Sequence, residues 1–258
     1  MTKPLPRLMV APNGARRGKA DHPALPIELA ELVETAIACH KAGADGIHLH
    51  VRDEQGKHSL DVGLYRASIA AIEQAVPDLF VQVTSEAAGR FGPEEQMHMI
   101  QELKPSSVSL ALSELHRPPV DKAAAQRFYH WALGEGVGIH HIAYEPAQLG
   151  QILEFVDEGI IPGRNHQLQL VIGSYAGTDP SRPEDLDPYL KFIEPRQDDL
   201  ALDWMICAFG PAETACLAYA AEHGGKLRVG FENSLWNADG SLAKDNAERV
   251  AEVLAATA

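Results

Sequence analysis

The sequence predicts a (β/α)8 barrel, a TIM barrel, built as a single domain over residues 1–258. Three observations carry that expectation. Eight short apolar runs rich in β-branched residues alternate with amphipathic stretches of helical period. The runs are nearly continuously hydrophobic, as strands of a parallel sheet covered on both faces must be. The turn after the first run, APNGARRGK, is no GxGxxG fingerprint, which removes the main sign of an open doubly wound sheet.

The runs follow in order. LMVA at 8–11 breaks at Pro12 and Gly14, and GIHLHV at 46–51, LFVQVT at 79–84 and SVSLAL at 107–112 come next. GIHHIA at 138–143, LQLVIG at 168–173, ALDWMICA at 201–208 and LRVGF at 227–231 complete the eight. Between and after them, helical patterns occupy 27–42, 64–75, 93–103, 122–134, 146–158, 184–192, 211–223 and 245–256. Two loops rich in turn residues, 14–26 and 174–183, take up the extra length. No linker, low-complexity tract or change of composition divides the chain.

With 45% hydrophobic and 22% charged residues the chain can bury a full core. A formal charge of -14 argues against wrapping a phosphate backbone, so nucleic acid is not expected as a partner and an anionic ligand must be caught by local arginines. Cys39, Cys207 and Cys216 form no metal-like cluster and fit reduced thiols packed as small hydrophobes. The opening MTKPLPRLMVAPNG is too short for a signal sequence or a membrane span, and a cytoplasmic protein is expected.

In a barrel of this kind the loops at the C-terminal ends of the strands build the active site. GIHLHVRD places His48 and His50 two apart at the end of the second run, so period two turns both imidazoles to one face. A hydrogen-bonded histidine pair is the plain alternative to a metal site. The eighth run ends RVGFEN, with Arg228 followed four residues later by Glu232. In a closed barrel only the first strand separates the eighth from the second, so Glu232 can join the two histidines on one ion and leave a position open for water or substrate.

Asn13, Thr84, Ser85, Glu86, Ser109, Tyr144 and Glu145 fall at the same end, together with Arg16, Arg17, Arg52 and Arg90. Singly, each reads as a cap, a turn residue or a surface ion pair. His140 and His141 are adjacent, so only one of them can face the barrel interior.

APNGARRGKADHPALPI, AGADGIHLHVRDEQGKHSLD, VPDLFVQVTSEA and RVGFENSLWNADGSLAKDNAERV resemble, in order and spacing, the β-keto acid cleavage enzymes. HLHVRD and GFEN are the specific parts of a resemblance that spans nearly the whole chain. It implies a zinc-dependent TIM barrel that reacts a β-keto acid with acetyl-CoA as co-substrate, giving acetoacetate and a new acyl-CoA. It further implies zinc ligands at His48, His50 and Glu232, a catalytic Arg228, and Thr84 and Ser109 as hydroxyls lining the substrate site. Asn13, Arg16, Ser85, Glu86 and Glu145 are the expected substrate contacts, and a homo-oligomer, possibly a tetramer, is expected.

The sequence departs from the family pattern at three places. Arg16 stands where the best-known member has an acid, Ser85, Glu86 and Ala87 replace a TGG turn, and Asn233 replaces a catalytic aspartate. Asn233 keeps the position but is no general base. The basic pair Arg16 and Arg17 leads one to expect a substrate tail that is neutral or anionic, and an amino tail to be disfavoured. A metal-dependent hydrolase barrel and an inactive ligand-binding homologue are the competing readings.

Overall fold

The computed structural model describes residues 3–175 and 180–258. Residues 176–179, in the loop expected at 174–183, and the first two residues of the opening segment lie outside the described residues. Eight parallel strands close into a barrel: β1 (Leu8–Val10), β2 (Gly46–Leu49), β5 (Phe80–Thr84), β6 (Ser107–Ala111), β7 (Gly138–Ala143), β8 (Gln167–Ile172), β9 (Asp203–Ala208) and β10 (Lys226–Val229). β1 pairs with β10 through Met9 and Arg228 and with β2 through Val10 and Ile47, so it is the strand that closes the ring. The eight apolar runs are these eight strands, displaced by no more than two residues at either end.

Helices cover the outside. They are α1 (Leu29–Lys41), α2 (Val62–Ala75), α3 (Pro93–Leu103), α5 (Lys122–Glu135), α6 (Pro146–Asp157), α7 (Asp187–Ile193), α9 (Glu213–Glu222) and α10 (Asn246–Ala256). Asp61, Asp121 and Asp245 start three of them by accepting the backbone N–H of Leu64, Ala124 and Glu248, donors that the first turn cannot satisfy itself. Proline at the first turn starts α3 and α6, where its missing N–H loses nothing.

Two short helices, α4 (Leu112–Leu115) and α8 (Gln197–Leu200), and a two-stranded hairpin of β3 (Val51–Arg52) and β4 (His58–Ser59) were not expected. The run at 46–51 is therefore two elements. Its apolar alternation continues through His50, but after Leu49 the chain leaves the barrel and Val51 pairs with Ser59 instead.

Strand residues alternate between two environments. Leu8, Val10, Ile47, Leu49, Val83 and Val108 face outward into the main core under the helices. Inward, Leu5, Met9 and Met205 plug the lower end against Phe80, and Ala111, Ile142, Val171 and Cys207 form an apolar patch at the upper end. The layer between them is polar: Gln82 donates to Ser107 Oγ at 3.2 Å and to His140 Nδ1 at 2.9 Å. The strands are thus hydrophobic on their outer face and carry a hydrogen-bonded layer on the inner one.

Of the adjacent histidines, His140 is the inward one, while His141 sits with its ring 5.4 Å from that of Tyr129 on α5. Burial pushes both imidazoles down to about 3. An unfolded His141 takes up a proton near pH 6.5 whereas the folded residue stays neutral down to about 3. Acid therefore favours the unfolded chain throughout that window, and a contribution to stability that is complete above pH 6.5 is lost as pH falls. In His141→Leu the slope of unfolding free energy against pH should be shallower by on the order of 1 kcal/mol per pH unit. Denaturant midpoints between pH 7 and 5 measure it, and equal slopes in the two proteins would mean that this histidine titrates normally.

Candidate active site

β2 ends with His48 and His50 pointing into the mouth of the barrel, both fully buried. Their Nε2 atoms face each other at 3.1 Å, too close for two N–H groups and suited to two lone pairs sharing a cation. Gln82, the barrel partner of His48 on β5, fixes the tautomer. Its amide nitrogen is committed to Ser107 and His140, so its Oε1 faces His48 Nδ1 at 2.8 Å and accepts that proton. The Nε2 lone pair of His48 is left for a ligand. Burial holds His48 well below the ordinary imidazole range, so it is a neutral donor at physiological pH.

Glu232, just beyond β10, completes the set. Its Oε1 accepts from Arg228 Nη2 at 3.1 Å, while Oε2 lies 3.4 Å from His50 Nε2 and 3.7 Å from His48 Nε2. Burial alone would raise this carboxyl, but Arg228 and the two histidines override it and hold it well below the usual carboxylate range. Oε2 is buried without a hydrogen-bond partner among the described residues.

A tetrahedral zinc with ligand bonds near 2.1 Å separates its donor atoms by roughly 3.4 Å. The separations of 3.1, 3.4 and 3.7 Å straddle that value, and a carboxylate with two imidazoles is a zinc-type donor set. The residues fit a divalent ion with one position open toward the cavity.

Local packing holds Glu232 in place. The chain turns at Gly230 with φ of +136°, and a Cβ there would lie 2.6 Å from the carbonyl oxygen of Ala11 and 2.9 Å from Asn246 Oδ1. Asn246 accepts from Phe231 N at 2.9 Å and donates to the carbonyl of Pro12 at 3.1 Å, tying the Glu232 turn to the first loop. Behind it, Glu213 accepts from Gly230 N and is paired with Arg249 at 2.8 Å, both side chains fully buried. Gly14 faces the centre directly: a Cβ there would fall 2.5 Å from Glu232 Cγ and 2.6 Å from the Tyr175 hydroxyl.

His48 and Glu232 line a cavity of about 640 Å³. Of the other residues singled out in the sequence, Arg16, Thr84, Glu86, Tyr144, Glu145 and Arg228 line it. Asn13, Ser85, Ser109 and Asn233 do not, although all four are buried close by. Asn13 donates to the carbonyls of Pro26 and His50, and Ser85 donates to the carbonyl of Ser109 at 2.8 Å, so both brace backbone rather than face a ligand. Ser109 donates to Thr84 Oγ1 at 3.4 Å, one residue removed from the cavity. Both polar atoms of the Asn233 side chain are buried without a partner among the described residues.

The basic first loop is corrected by the structure. Arg17 donates to the carbonyl of Phe231 at 2.5 Å and Arg52 to that of Arg17 at 2.9 Å, so both guanidiniums are spent on carbonyls. Arg90 pairs with Asp53 at 3.5 Å, not with Glu86. Arg16 alone represents that loop in the cavity, 5.3 Å above the Tyr175 ring.

Sequence reasoning missed Gln82, Glu114 and Tyr175. Gln82 could have been found as the polar interruption in an otherwise apolar strand. Glu114 sits on α4, in the stretch between the run at 107–112 and the helix expected from 122, where neither pattern marked it, and Tyr175 gave no signal beyond its place in a strand-end loop. The Tyr175 hydroxyl is buried without a partner among the described residues.

Fold and centre together define a (β/α)8 barrel with a two-histidine, one-glutamate ligand set at the mouth of its active-site end. The family model described as beta-keto acid cleavage enzyme matches residues 7–258, and the chain belongs to that family. It is 27% identical over 259 residues to the 3-oxoadipate:acetyl-CoA acetyltransferase of Cupriavidus necator, covering 99% of this chain and 89% of the relative. With the 3-keto-5-aminohexanoate cleavage enzyme of Acetoanaerobium sticklandii it shares 26% over 246 residues, covering 93% and 87%. Among solved structures, ObcA in binary complex with oxaloacetate superposes with a TM-score of 0.70 at 15% identity, a likeness of fold. That match covers 90% of this chain and 63% of ObcA, so the chain spans under two thirds of that protein. Among the described residues no helix is long and apolar enough to cross a membrane.

The purified protein should carry one divalent ion per chain by elemental analysis, reduced to background in the double variant His48→Ala, His50→Ala. Gln82→Leu, which removes only the brace on His48, should weaken metal affinity roughly ten- to a hundredfold. Undiminished metal in the double variant would show that the ion is held elsewhere.

Proposed function

We propose that this chain cleaves a β-keto acid with acetyl-CoA as co-substrate, releasing acetoacetate and a new acyl-CoA, and that its metal is zinc. The observation that carries this reading is the convergence of His48, His50 and Glu232 beside an open cavity, which His48 and Glu232 line, in a barrel of the cleavage-enzyme family. Bound there, a divalent ion supplies a fixed positive charge against the enolate that C2 to C3 cleavage leaves behind.

The protein's own residues supply the rest. Arg228 is buried; burial works against its charge, but Cys207 and Glu232 beside it keep it protonated. Its Nε has no partner among the described residues, so it can bind the carboxylate of the keto acid while Nη2 holds Glu232. Thr84 Oγ1 accepts from Glu86 N at 3.0 Å and from Ser109, which leaves its own proton to donate to a substrate oxygen.

Arg16 shares the cavity lining with Glu86, Glu114 and Glu145. Arg17 does not line the cavity, although its guanidinium lies 5.6 Å from the Tyr175 ring centre, and the three carboxylates that share the lining with Arg16 support an uncharged or cationic tail. The reading takes the whole chain as one cytoplasmic catalytic domain acting in a homo-oligomer. The hydrolase alternative gains nothing, since His140 is bound to Gln82 rather than added to the ligand set.

A panel of β-keto acids incubated with acetyl-CoA and read by mass spectrometry should yield acetoacetate and the matching acyl-CoA. Acid consumption independent of CoA ester would assign a hydrolase, and binding without turnover would assign a ligand-binding homologue. Within a length-matched series, kcat/KM should be lower for the tail bearing a carboxylate than for the uncharged or amino one. Arg228→Ala should cut turnover at least about a hundredfold with metal content unchanged, and Arg228→Lys less so; near-normal kcat in Arg228→Ala would remove it from the catalytic set.

A further inference from the structure

We infer that Glu86 is the general base of this enzyme, the group that removes the C2 proton of the β-keto acid. The inference rests on the function proposed above, because joining the acetyl group of acetyl-CoA to C2 requires C2 to become a carbanion. Asn233, beside the ligand Glu232, has no basic atom and does not line the cavity.

Four carboxyl groups line the cavity, and three are otherwise engaged. Glu232 is paired with Arg228 and turned to the two histidines. Glu114 accepts from Ala87 N at 3.0 Å and from Gln96 Nε2 at 2.9 Å. Glu145 is exposed at the rim, open to bulk water. Glu86 alone of the four combines partial burial with a carboxyl that accepts no hydrogen bond among the described residues.

Its backbone is held from both sides. Glu86 N donates to Thr84 Oγ1 at 3.0 Å, its carbonyl accepts from His58 Nε2 at 2.9 Å, and the preceding carbonyl of Ser85 accepts from Gln96 at 2.6 Å. Such bracing has a purpose when one side chain must meet one hydrogen of a bound substrate. Burial, with Glu232 and Glu114 nearby, raises its affinity for a proton above that of a free glutamate, which suits a base acting on a carbon acid.

The step balances. The C2–H bond breaks, its proton passes to the Glu86 carboxylate, and the electron pair forms the bond from C2 to the acetyl carbon as CoA leaves as thiolate. The thiolate adds to C3, the C2–C3 bond breaks, and the resulting acetoacetate enolate recovers the proton from Glu86. The carboxylate is regenerated and no further reactant is consumed.

The experiment is exchange of the C2 hydrogens of the β-keto acid with deuterium from solvent, followed by NMR without acetyl-CoA and corrected for the enzyme-free rate. Wild type should exchange C2 rapidly, Glu86→Gln at least about a hundredfold more slowly with unchanged metal content and thermal transition, and Glu86→Asp between the two. In full turnover Glu86→Gln should lose kcat with KM little changed. Wild-type exchange rates in Glu86→Gln would overturn the inference, as would a variant that changes only the KM ranking of cationic against uncharged tails, which would make Glu86 a specificity residue. Absence of exchange and turnover in the wild type would instead overturn the proposed function, and this step with it.

Discussion

Closure of the barrel through β1 is the constraint on which the centre depends. β1 has β10 on one side and β2 on the other, so the ends of the last and second barrel strands stand one strand apart. Only in that arrangement can a carboxylate at 232 reach imidazoles at 48 and 50. An open sheet with the same strands would leave the ligands at opposite edges. The glycines at 14 and 230 belong to the same constraint, because each occupies a place where the first loop and the last turn approach within van der Waals distance.

Closure also explains why the interior is unlike the usual packed core of such barrels. A ring of eight strands encloses room for side chains in layers. Here apolar residues fill the bottom, and the middle layer of Gln82, Ser107 and His140 is polar and joined by the Gln82 amide, which donates to both of the others. That layer converts barrel geometry into chemistry, since the amide that bridges β6 and β7 also sets which nitrogen of His48 is free. An amide bridge of this kind specifies orientation, whereas an apolar layer would only fill volume.

What was legible in the sequence was what is local in it. HLH and GFEN carry ligand spacing on single strand ends, and eight alternating units leave few topologies, so the fold and the triad could be read directly. The direction of a long side chain could not. Arg17 is adjacent to Arg16 and chemically identical, yet one is consumed by backbone carbonyls and the other faces the cavity. Asn13 and Ser85 lie at the correct end of the barrel but brace loops, because proximity along the chain does not say which way a short polar group turns. Glu114 was hidden for a different reason: apolar periodicity does not mark where a strand ends and a one-turn helix begins.

The buried pair of Arg249 and Glu213 places a dependence of the centre far from its ligands. Arg249 belongs to the last helix, and through Glu213 it secures the amide of Gly230, while Asn246 of the same helix secures that of Phe231. The carboxylate arm of the site is thus assembled by a segment that leaves the ribosome after all three ligands. A growing chain that has exposed residues 48, 50 and 232 holds the donors without the geometry, and loose donors of this kind have little means of selecting one metal over another. Choice of the metal proposed for this site would therefore fall to the finished barrel, after synthesis, and not to the nascent chain.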